Sequence, residues 1–370
     1  MSIKIEVIRN KQELRAFLQL PYEIYRGDPN WVAPLLFDQK RLLDPKVNPF
    51  FMHAQMTRLV AKRNGKVVGR ICAIDDRNYI EHWKEPVGFF GFFECINDQE
   101  VADALFEAAA DWLKPRGIDT MRGPTNPSSL DTCGILTEGF DMPPVFLMAY
   151  NPPYYLDLLD KAGLTSVKEM YAYRLGVDDM PQKILSVAEN YKQNLKVNIR
   201  TIDLNNIKAE IEKVRLIYNQ AWSENWGFVP ATFEEFEHSA DDFKQILDPE
   251  FVFIAEDAGK PIGFSLAIPD YNQALKHLNG RLLPFGIFKL LYHKRHIDAA
   301  RVPIMGVIPE YRKQGIDVVF YLNTINRSKA LGHGWGELSW ILEDNVSMNR
   351  VLKMINAKIY KRYRMYEKAI

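Results

Sequence analysis

Cysteine is scarce in this chain of 370 residues, and neither sign of charge is in excess. Cys72, Cys95 and Cys133 are odd in number, far apart and without C-x-x-C spacing, which argues against a disulfide scaffold and fits a reducing compartment. The 47 Lys and Arg residues balance the 47 Asp and Glu residues. Because nucleic-acid-binding proteins usually carry a basic excess, no nucleic-acid partner is expected.

Long apolar runs are also absent. No stretch of about 18 consecutive apolar residues occurs, so no transmembrane segment is expected. The first six residues, MSIKIE, mix charged and apolar side chains too closely for a signal peptide. Together these absences predict a cytoplasmic protein.

The chain does contain ample apolar material, and part of it repeats. Hydrophobic residues make up 47% of the sequence, enough for the two domains that this length predicts. Residues 59–76 (LVAKRNGKVVGRICAIDD) match residues 253–270 (FIAEDAGKPIGFSLAIPD) at seven of eighteen positions without a gap. Each copy has the pattern of two strands joined by a tight turn. Asn64-Gly65 suits a two-residue hairpin, because both residues tolerate positive φ.

Further elements follow each hairpin in the same order: an apolar strand, an amphipathic helix, a second helix and a Tyr-rich strand. The first of these helices is predicted to begin at Asp98, to carry Val101, Leu105, Ala108 and Trp112 on one face, and to end at Pro115 and Gly117. This order predicts two copies of one α/β unit, over residues 1–176 and 182–370, with a linker near residues 175–181. Two unrelated hairpins with similar turns are the alternative. Residues 272–300 are an insertion with little counterpart in the first half.

The segment with the most chemistry follows the apolar strand of the second copy and runs from Val307 to Asp317. A Gly-containing loop there opens a helix, and the unpaired N–H groups and dipole of a helix start can bind phosphate oxygens. Gly315 removes a Cβ that would block a close approach, while Arg312 and Lys313 add positive charge. An ordinary capped helix after a strand is the alternative interpretation.

This loop, Arg312-Lys313-Gln314-Gly315-Ile316-Asp317, resembles motif A of the GNAT acyltransferases, [Q/R]-x-x-G-x-[G/A]. The resemblance implies an α/β (α+β) fold of two tandem GNAT-like domains, each a mixed, mostly antiparallel sheet flanked by helices. It also implies that the loop binds the diphosphate of coenzyme A, while backbone groups of Gly306, Val307 and Ile308 bind its pantetheine. Asp317 departs from the family pattern, which has a small residue there, and a carboxylate so placed costs affinity unless its side chain turns away.

The corresponding point of the first copy, residues 96–101 (INDQEV), has neither a glycine nor a basic residue. Asp98 and Glu100 would repel phosphate groups while stabilising the helix N-terminus themselves. The first copy is therefore predicted to be degenerate, to bind no acyl-CoA, and to support the second copy.

Trp335 to Leu342 is similar to the fifth GNAT strand, which splays from the fourth and admits the pantetheine. Asn345-x-x-Met348-x-x-Val351-Leu352 is similar to the N-x-x-A-x-x-L-Y of the next helix, so the resemblance adds Asn345 to the coenzyme site. The tyrosine that many members use as general acid is absent, because Leu352, or Met354 in a shifted register, takes its place.

Proton transfer limits the remaining candidates. An amine must lose a proton to attack a thioester, and a positioned carboxylate can accept that proton. Glu337 and Glu343 are the candidate bases because they flank the inferred strand, and Tyr360 or Tyr363 is the candidate proton donor. For each carboxylate, a solvated charge at a strand end is the alternative.

Residues 280–296 (GRLLPFGIFKLLYHKRH) are apolar with a basic end. Three interpretations are open: an amphipathic lid over an apolar acceptor or acyl chain, an interfacial anchor, and a helix packed on the protein. His293 and His296 are spaced for one helix face, but no carboxylate or cysteine completes a set of ligands, so no metal is expected.

These observations predict an N-acyltransferase that uses acetyl-CoA or a longer acyl-CoA and acts on an amine of a small molecule. Two alternatives stay open: an N-acyl amino acid synthase that takes its acyl group from acyl carrier protein, and a non-catalytic acyl-CoA-binding module. The acceptor, the acyl length and the oligomeric state are not determined by the sequence.

Overall fold

A computed structural model describes residues 2–244 and 246–370. The chain forms two compact units. Unit 1 comprises Met1–Glu169, Leu275–Leu290 and Lys361–Ile370, and unit 2 comprises Met170–Ala274 and Leu291–Tyr360. Each unit thus combines segments that are distant in the sequence. The assignment of the two repeat copies to residues 1–176 and 182–370 stays a prediction.

The first half of the chain alternates strands and helices after an N-terminal strand. Its elements are β1 (Lys4–Val7), α1 (Lys11–Ile24), α2 (Leu36–Leu42), β2 (Ala54–Arg63), β3 (Lys66–Asp76), α3 (Arg77–Trp83), β4 (Val87–Cys95), α4 (Gln99–Leu113), β5 (Thr120–Gly123), β6 (Thr125–Asn126), β7 (Thr132–Cys133), β8 (Ile135–Glu138), α5 (Tyr155–Lys161) and β9 (Thr165–Gly176).

The second half repeats this order with three differences. Its elements are α6 (Gln182–Asn194), β10 (Asn198–Thr201), α7 (Ile207–Ala221), α8 (Phe233–Phe243), β11 (Val252–Asp257), β12 (Lys260–Pro269), α9 (Asn272–Leu275), α10 (Gly286–His293), β13 (Ala299–Val307), α11 (Ile316–Ala330), β14 (Trp335–Leu342), α12 (Val346–Met354) and β15 (Lys358–Ala369). Helix α6 precedes the repeated order, α10 is added before the fourth strand, and β6, β7 and β8 have no counterpart among the described residues.

Each half ends in a strand that completes a sheet begun elsewhere in the chain. In unit 1 the strands follow the order β1-β2-β3-β4-β5, and residues 366–369 of β15 pair with β5. In unit 2 the order is β10-β11-β12-β13-β14, and residues 170–176 of β9 pair with β14. The parallel pairs are β4 with β5 and β13 with β14, and the other pairs recorded for these strands are antiparallel. The predicted mixed, mostly antiparallel sheets are therefore confirmed.

The two repeated hairpins have equivalent irregularities. The turn of the first holds Asn64 and Gly65 at φ 53° and 76°, and the turn of the second holds Ala258 and Gly259 at 47° and 85°. Both hairpins shift register directly after an alanine, Ala61 in the first and Ala255 in the second. These alanines are the pair that the sequence alignment of the copies matches.

Helix α4 shows how the core of unit 1 is built. Asp98 accepts a hydrogen bond from the N–H of Val101 at 3.3 Å, and so begins the helix as predicted. The buried face includes Val101 and Leu105, also as predicted, and continues through Ala109 and Leu113. Ala108 and Trp112, the other two residues predicted for this face, are partly buried and pack against the same core.

The insertion contains α10, in which the buried residue is Gly286. Most of the large side chains of this helix are exposed. A helix packed on the protein would bury one face, so that interpretation of residues 280–296 is contradicted. Among the residues that the structure describes, no helix is both long and apolar enough to cross a membrane.

A network of charged side chains ties β10, α7 and β11 together. Arg200 donates to Glu210 at 2.7 and 2.8 Å and to Glu256 at 3.0 and 2.8 Å. Lys213 donates to both carboxylates at 3.1 and 2.8 Å. Since Glu210 is buried, these bidentate pairs compensate its desolvation and fix the edge strand.

Replacing Glu256 by Gln tests this network. The hydrogen bond from Arg200 is the main cause that lowers the pKa of Glu256 from 4.5 to about 2. A pKa lowered by folding contributes stability that is complete above the unfolded value and is lost as the pH falls through the folded value. We expect Glu256→Gln to lower the free energy of unfolding at neutral pH by about 1.5–3 kcal/mol. The difference from the unmodified protein should shrink below a pH of about 4.5.

Urea denaturation at neutral pH and at about pH 3 measures this difference. Glu224→Gln, at an exposed glutamate, is the matched control. An equal loss of stability at both pH values would contradict the ionic origin of the effect.

Candidate active site at the fork of two parallel strands

Strands β13 and β14 pair at their beginnings and then part, and we call the point where they part the fork. Their parallel register runs from Ala299–Trp335 to Val302–Leu338, whereas the strands continue to Val307 and Leu342. The splay that the GNAT resemblance implies is thus present.

Both strands bulge at the fork. Against β12, residues 301 to 304 of β13 span the same length as residues 266 to 268, so β13 contains one additional residue. Against β9, residues 338 to 341 of β14 oppose residues 171 to 173, so β14 does too. Pro303 lies within the first bulge and has no N–H to donate. Bulges bend and twist a strand, which accounts for the parting of the pair.

A buried polar cluster lies on one face of the sheet at this point. Arg301 and Glu337 are opposite each other in the register, and their nearest side-chain atoms, Nε and Oε1, are 3.6 Å apart. The Ser339 hydroxyl donates to Glu337 Oε1 at 2.5 Å and accepts from Arg301 Nε at 3.0 Å. The Tyr360 hydroxyl donates to Glu337 Oε2. Two of the predicted catalytic residues, Glu337 and Tyr360, are therefore in direct contact.

Burial makes this cluster energetically consequential. Arg301, Glu337 and Ser339 are almost completely buried, whereas Tyr360 is half-buried. A buried carboxylate is tolerated only where opposite charge and hydrogen bonds replace its hydration, and the cluster supplies both. The solvated-charge interpretation is therefore wrong for Glu337. Glu343, by contrast, is exposed just beyond the end of β14.

Aromatic rings cover the same region. Trp335 lies edge-on to Tyr360 at 6.2 Å between ring centroids, and Arg301 lies 5.0 Å above the Trp340 ring. Trp222, at the end of α7, covers Gly306, because a Cβ at Gly306 would lie 2.2 Å from its ring. The glycine thus lets an indole approach the main chain of β13 beyond the fork.

The loop after β13 has the backbone shape of an anion-binding turn. Lys313 has φ 63° and Gly315 has φ 85°, and Gly315 is the residue from which α11 begins. The first N–H groups of a helix have no acceptor within it, and alternating left-handed residues turn such groups towards one point. Main-chain geometry here is compatible with an anion.

The side chains of the loop are engaged with the protein. Arg312 donates to the carbonyl oxygen of Ala221 at 2.8 Å and to that of Val307 at 3.2 Å, and Gln314 donates to a carbonyl of its own loop. The ring of Tyr191, on α6, lies against Gly315, where a Cβ would be 2.4 Å from it. Arg312 therefore fastens the loop to α7, and the exposed Lys313 remains the cation presented at its surface.

Asp317 lies on the first turn of α11 and is partly buried. Burial raises the pKa of its carboxyl group above the ordinary 3.8, and backbone hydrogen bonds with its own residue and Val318 oppose that rise. The carboxyl group is therefore partly withdrawn from water near the helix start. A carboxylate there opposes the binding of a diphosphate at the same point.

The remaining residues that the sequence analysis singles out lie in the helix start, in the two cores and beside the loop. The Asn345 side chain accepts from the N–H of Met348 at 3.1 Å and so begins α12. Leu352 is completely buried in the core beneath that helix. Tyr363 is also completely buried, within unit 1. Ile308 and Ile316 are buried beside the loop, so any contact from them to a ligand would come from the main chain.

The equivalent fork in unit 1 is closed. A Cβ at Gly91 on β4 would lie 1.7 Å from the carbonyl oxygen of Thr125, and the N–H of Phe92 donates to Asn126 Oδ1 at 2.6 Å. At the following helix start, Arg63 pairs with Asp98 at 2.6 Å. In unit 1, residues 125 and 126 thus fill the space beside β4, and the Asp98 carboxylate occupies the start of α4. The corresponding positions in unit 2 are open.

Sequence reasoning missed Arg301, Ser339, Tyr191 and Trp222. Arg301 and Ser339 had a detectable signal, because a charged and a hydroxyl residue interrupt strands that are otherwise apolar. Tyr191 and Trp222 had no such signal in the sequence. Each lies on or at the end of a helix that precedes the β13 loop by many residues.

Solved structures share this architecture. A tandem GNAT protein from the clavulanic acid biosynthesis pathway aligns at a TM-score of 0.58 and 12% identity, over 100% of this chain and 98% of that chain. The fold is therefore that of the tandem GNAT proteins, as the sequence predicted. No family model matches the chain.

Relatives of the same length are more informative. Protein YghO of Escherichia coli is 36% identical over 375 residues, which cover 99% of this chain and 95% of YghO. The bacterial ceramide synthase of Caulobacter vibrioides is 34% identical over 379 residues, which cover 100% of this chain and 98% of that enzyme. The chain belongs to the family that contains these two proteins, and this kinship, with the GNAT fold, supports N-acyl transfer as its general chemistry.

Glu337→Gln tests the buried cluster. The amide would lose the charge that compensates Arg301 and would place a donor against hydroxyl groups that donate. Removing one partner of a buried ion pair costs about 3–5 kcal/mol, so we expect a loss of this size in the free energy of unfolding by urea denaturation.

The same change at exposed Glu343 is the matched control and should cost little. Replacing both Arg301 and Glu337 by Met should restore part of the stability, because neither charge is then left buried alone. Equal effects of Glu337→Gln and Glu343→Gln would refute the assignment.

Proposed function

We propose that this protein transfers a long-chain acyl group from a thioester, in the first place an acyl-CoA, to the amine of a long-chain amino alcohol, giving an amide of the ceramide class. The observation that carries the proposal is the fork, where the buried Glu337 and the half-buried Tyr360 lie beside main-chain groups freed by the parting of β13 and β14. Kinship over the full length with a bacterial ceramide synthase supports the choice of acceptor.

The fork provides two things that acyl transfer needs: peptide groups that bind the donor and an N–H group that stabilises the thioester oxygen. Beyond Val302, β13 is released from pairing with β14, so its peptide groups as far as Gly306 are the candidates to hold the amide-containing arm of the donor. The Val307 carbonyl already accepts from Arg312. The bulge breaks the regular alternation, so one peptide N–H can point at the thioester oxygen and stabilise the charge that develops on it.

Proton transfer is assigned to the Tyr360–Glu337 pair. As the amine nitrogen bonds to the carbonyl carbon, it loses a proton to the Tyr360 oxygen while Tyr360 passes its own proton to Glu337. When the carbon–sulfur bond breaks, the reverse transfer delivers that proton to the departing thiolate. Arg301 and Ser339 hold the carboxylate in place, so they are positioning residues.

The fit to coenzyme A is mixed. The splayed strands and the amides at the start of α11 suit pantetheine and phosphate groups, and Lys313 adds a positive charge. The partly buried Asp317 on the first turn of α11 and the Tyr191 ring on Gly315 oppose a diphosphate at the same point. Binding of coenzyme A therefore depends on main-chain donors and requires that Tyr191 move or stack against the ligand.

A second donor is favoured by those two residues. Acyl carrier protein presents the same pantetheine arm through a single phosphate, without the adenosine diphosphate that would meet Asp317 and Tyr191. The fork would serve either donor, because both deliver an identical thioester. The two donors differ only in the groups that they present to the loop after β13, so variants of that loop distinguish acyl-CoA from acyl carrier protein.

The proposed activity is tested with the purified protein, palmitoyl-CoA and a long-chain amino alcohol such as sphinganine. We expect an amide product by mass spectrometry and release of the coenzyme A thiol, with less product from acetyl-CoA or from a short polar amine. Tyr360→Phe keeps the ring against Trp335 but removes the proton path, so kcat should fall by roughly 100-fold or more.

Tyr271→Phe is the matched control, because its hydroxyl donates to a backbone carbonyl at 3.2 Å outside the fork. Circular dichroism verifies that both variants fold. Absence of amide product from every thioester and amine combination, acyl carrier protein included, would refute the proposal. An unchanged kcat in Tyr360→Phe would remove the proton path from it.

The donor site is tested by Lys313→Glu. Position 313 already carries a side chain at positive φ, so this substitution adds no backbone strain. Gly315→Glu is less informative, because its Cβ would collide with Tyr191. Calorimetric titration should show an affinity for coenzyme A lower by roughly 10-fold, as expected for one charge-assisted contact.

Lys183→Glu, at an exposed lysine on α6, is the control for the change in net charge. Affinities for coenzyme A that are equal in the two variants would exclude the loop from donor binding. Activity with acyl carrier protein that survives Lys313→Glu would favour the second donor.

A further inference from the structure

The insertion between β12 and β13 has a charge composition unlike the rest of the chain. Residues 271–297 contain no Asp or Glu but contain Lys276, Arg281, Lys289, Lys294 and Arg295. The whole chain has a formal net charge of zero, so this excess of five positive charges is local. Such a cluster attracts an anionic surface within about one Debye length.

The same segment exposes large apolar side chains. Leu283, Phe285 and Phe288 are 78%, 70% and 67% exposed, and Tyr292 is 62% exposed. Within α10 the spacing of three and four places Phe288, Leu291 and Tyr292 on one side of the helix. Exposed apolar groups of this size with a polar rim mark an interaction surface.

The base of the segment is fixed, so the exposed tip is a formed structure. Gly280 accepts a hydrogen bond from the N–H of Leu36 at 3.0 Å, and a Cβ at Gly280 would lie 1.8 Å from the Tyr22 hydroxyl. At the other end of the turn, a Cβ at Gly286 would lie 2.0 Å from the carbonyl oxygen of Arg281. The backbone therefore packs closely where the glycines lie, and the apolar side chains between them project outward.

We infer that residues 281–296, which we call the basic-apolar segment, bind the surface of a bilayer that contains anionic phospholipid. The side chains of Leu283, Phe285 and Phe288 enter the boundary between headgroups and acyl chains. The lysine and arginine side chains contact lipid phosphates. This is the combination of apolar burial and charge attraction by which peripheral proteins bind membranes.

Charge and shape favour a bilayer over a protein partner. An acidic carrier protein would match the charge, but large apolar groups projecting singly from a convex turn suit a fluid medium better than a rigid surface. A second copy of the chain would oppose one basic segment to another, which is unfavourable. The inference goes beyond the proposed reaction and does not depend on it, because binding alone is measured.

Vesicle co-sedimentation with the full chain tests the inference. We expect binding to phosphatidylcholine vesicles that contain phosphatidylglycerol, weaker binding to phosphatidylcholine alone, and weakening with salt. Phe285→Asp/Phe288→Asp removes apolar groups from the lipid boundary, and Lys294→Glu/Arg295→Glu reverses two charges near the lipid phosphates. Each variant should lower the partition coefficient by roughly 10-fold or more.

Control variants make comparable changes elsewhere in the chain. Leu204→Asp alters a leucine that is 50% exposed in unit 2, and Lys66→Glu/Lys84→Glu reverses two exposed lysines in unit 1. Both controls should bind as the unmodified protein does, and circular dichroism confirms the fold of every variant.

Three results would overturn the inference. One is the absence of binding to either kind of vesicle, and another is binding that the segment variants leave unchanged. The third is association with acyl carrier protein, or of the chain with itself, that the segment variants abolish while vesicles are not bound. In that case the surface belongs to a protein contact.

Discussion

The constraint on which the candidate site depends is the loss of pairing between two parallel strands. Strands β13 and β14 begin as neighbours, but each contains an additional residue at the same level, so neither can continue the ladder. Regular pairing would have consumed the peptide groups beyond Val302 and closed the space between the strands. The bulges exchange that pairing for an open edge, next to a cluster in which Arg301 and Ser339 hold Glu337.

Unit 1 shows what the same topology becomes when the fork is filled. It has the same order of strands, but the Thr125 carbonyl oxygen lies where a Cβ of Gly91 would be, and Arg63 with Asp98 occupies the start of the helix. A cation and a carboxylate paired there satisfy the helix amides as a bound anion would. The two units thus share a framework, and the open fork with its buried charge distinguishes the second.

Features determined by near neighbours were predictable from the sequence. The hairpin turn at Asn64-Gly65 and the start of α4 at Asp98 follow from what those residues do to an adjacent backbone. Glu337 and Glu343 were indistinguishable candidates because their difference is burial, which depends on the register of Arg301 opposite Glu337. Contacts such as Tyr191 against Gly315 join parts of the chain more than a hundred residues apart, and no local pattern encodes them.

The loop after β13 raises a question of charge that bears on the donor. A diphosphate brings more negative charge to the helix start than a single phosphate does, and the partly buried carboxyl group of Asp317 lies on that first turn. Repulsion between a carboxylate and phosphate oxygens is stronger where water screens it less. Arg312 cannot compensate while it fastens the loop to the Ala221 and Val307 carbonyls. Affinity at this loop must therefore come from backbone donors and Lys313, or the donor must present less charge there. Acyl-CoA and acyl carrier protein differ in that property, while the fork and its proton path treat their thioesters alike.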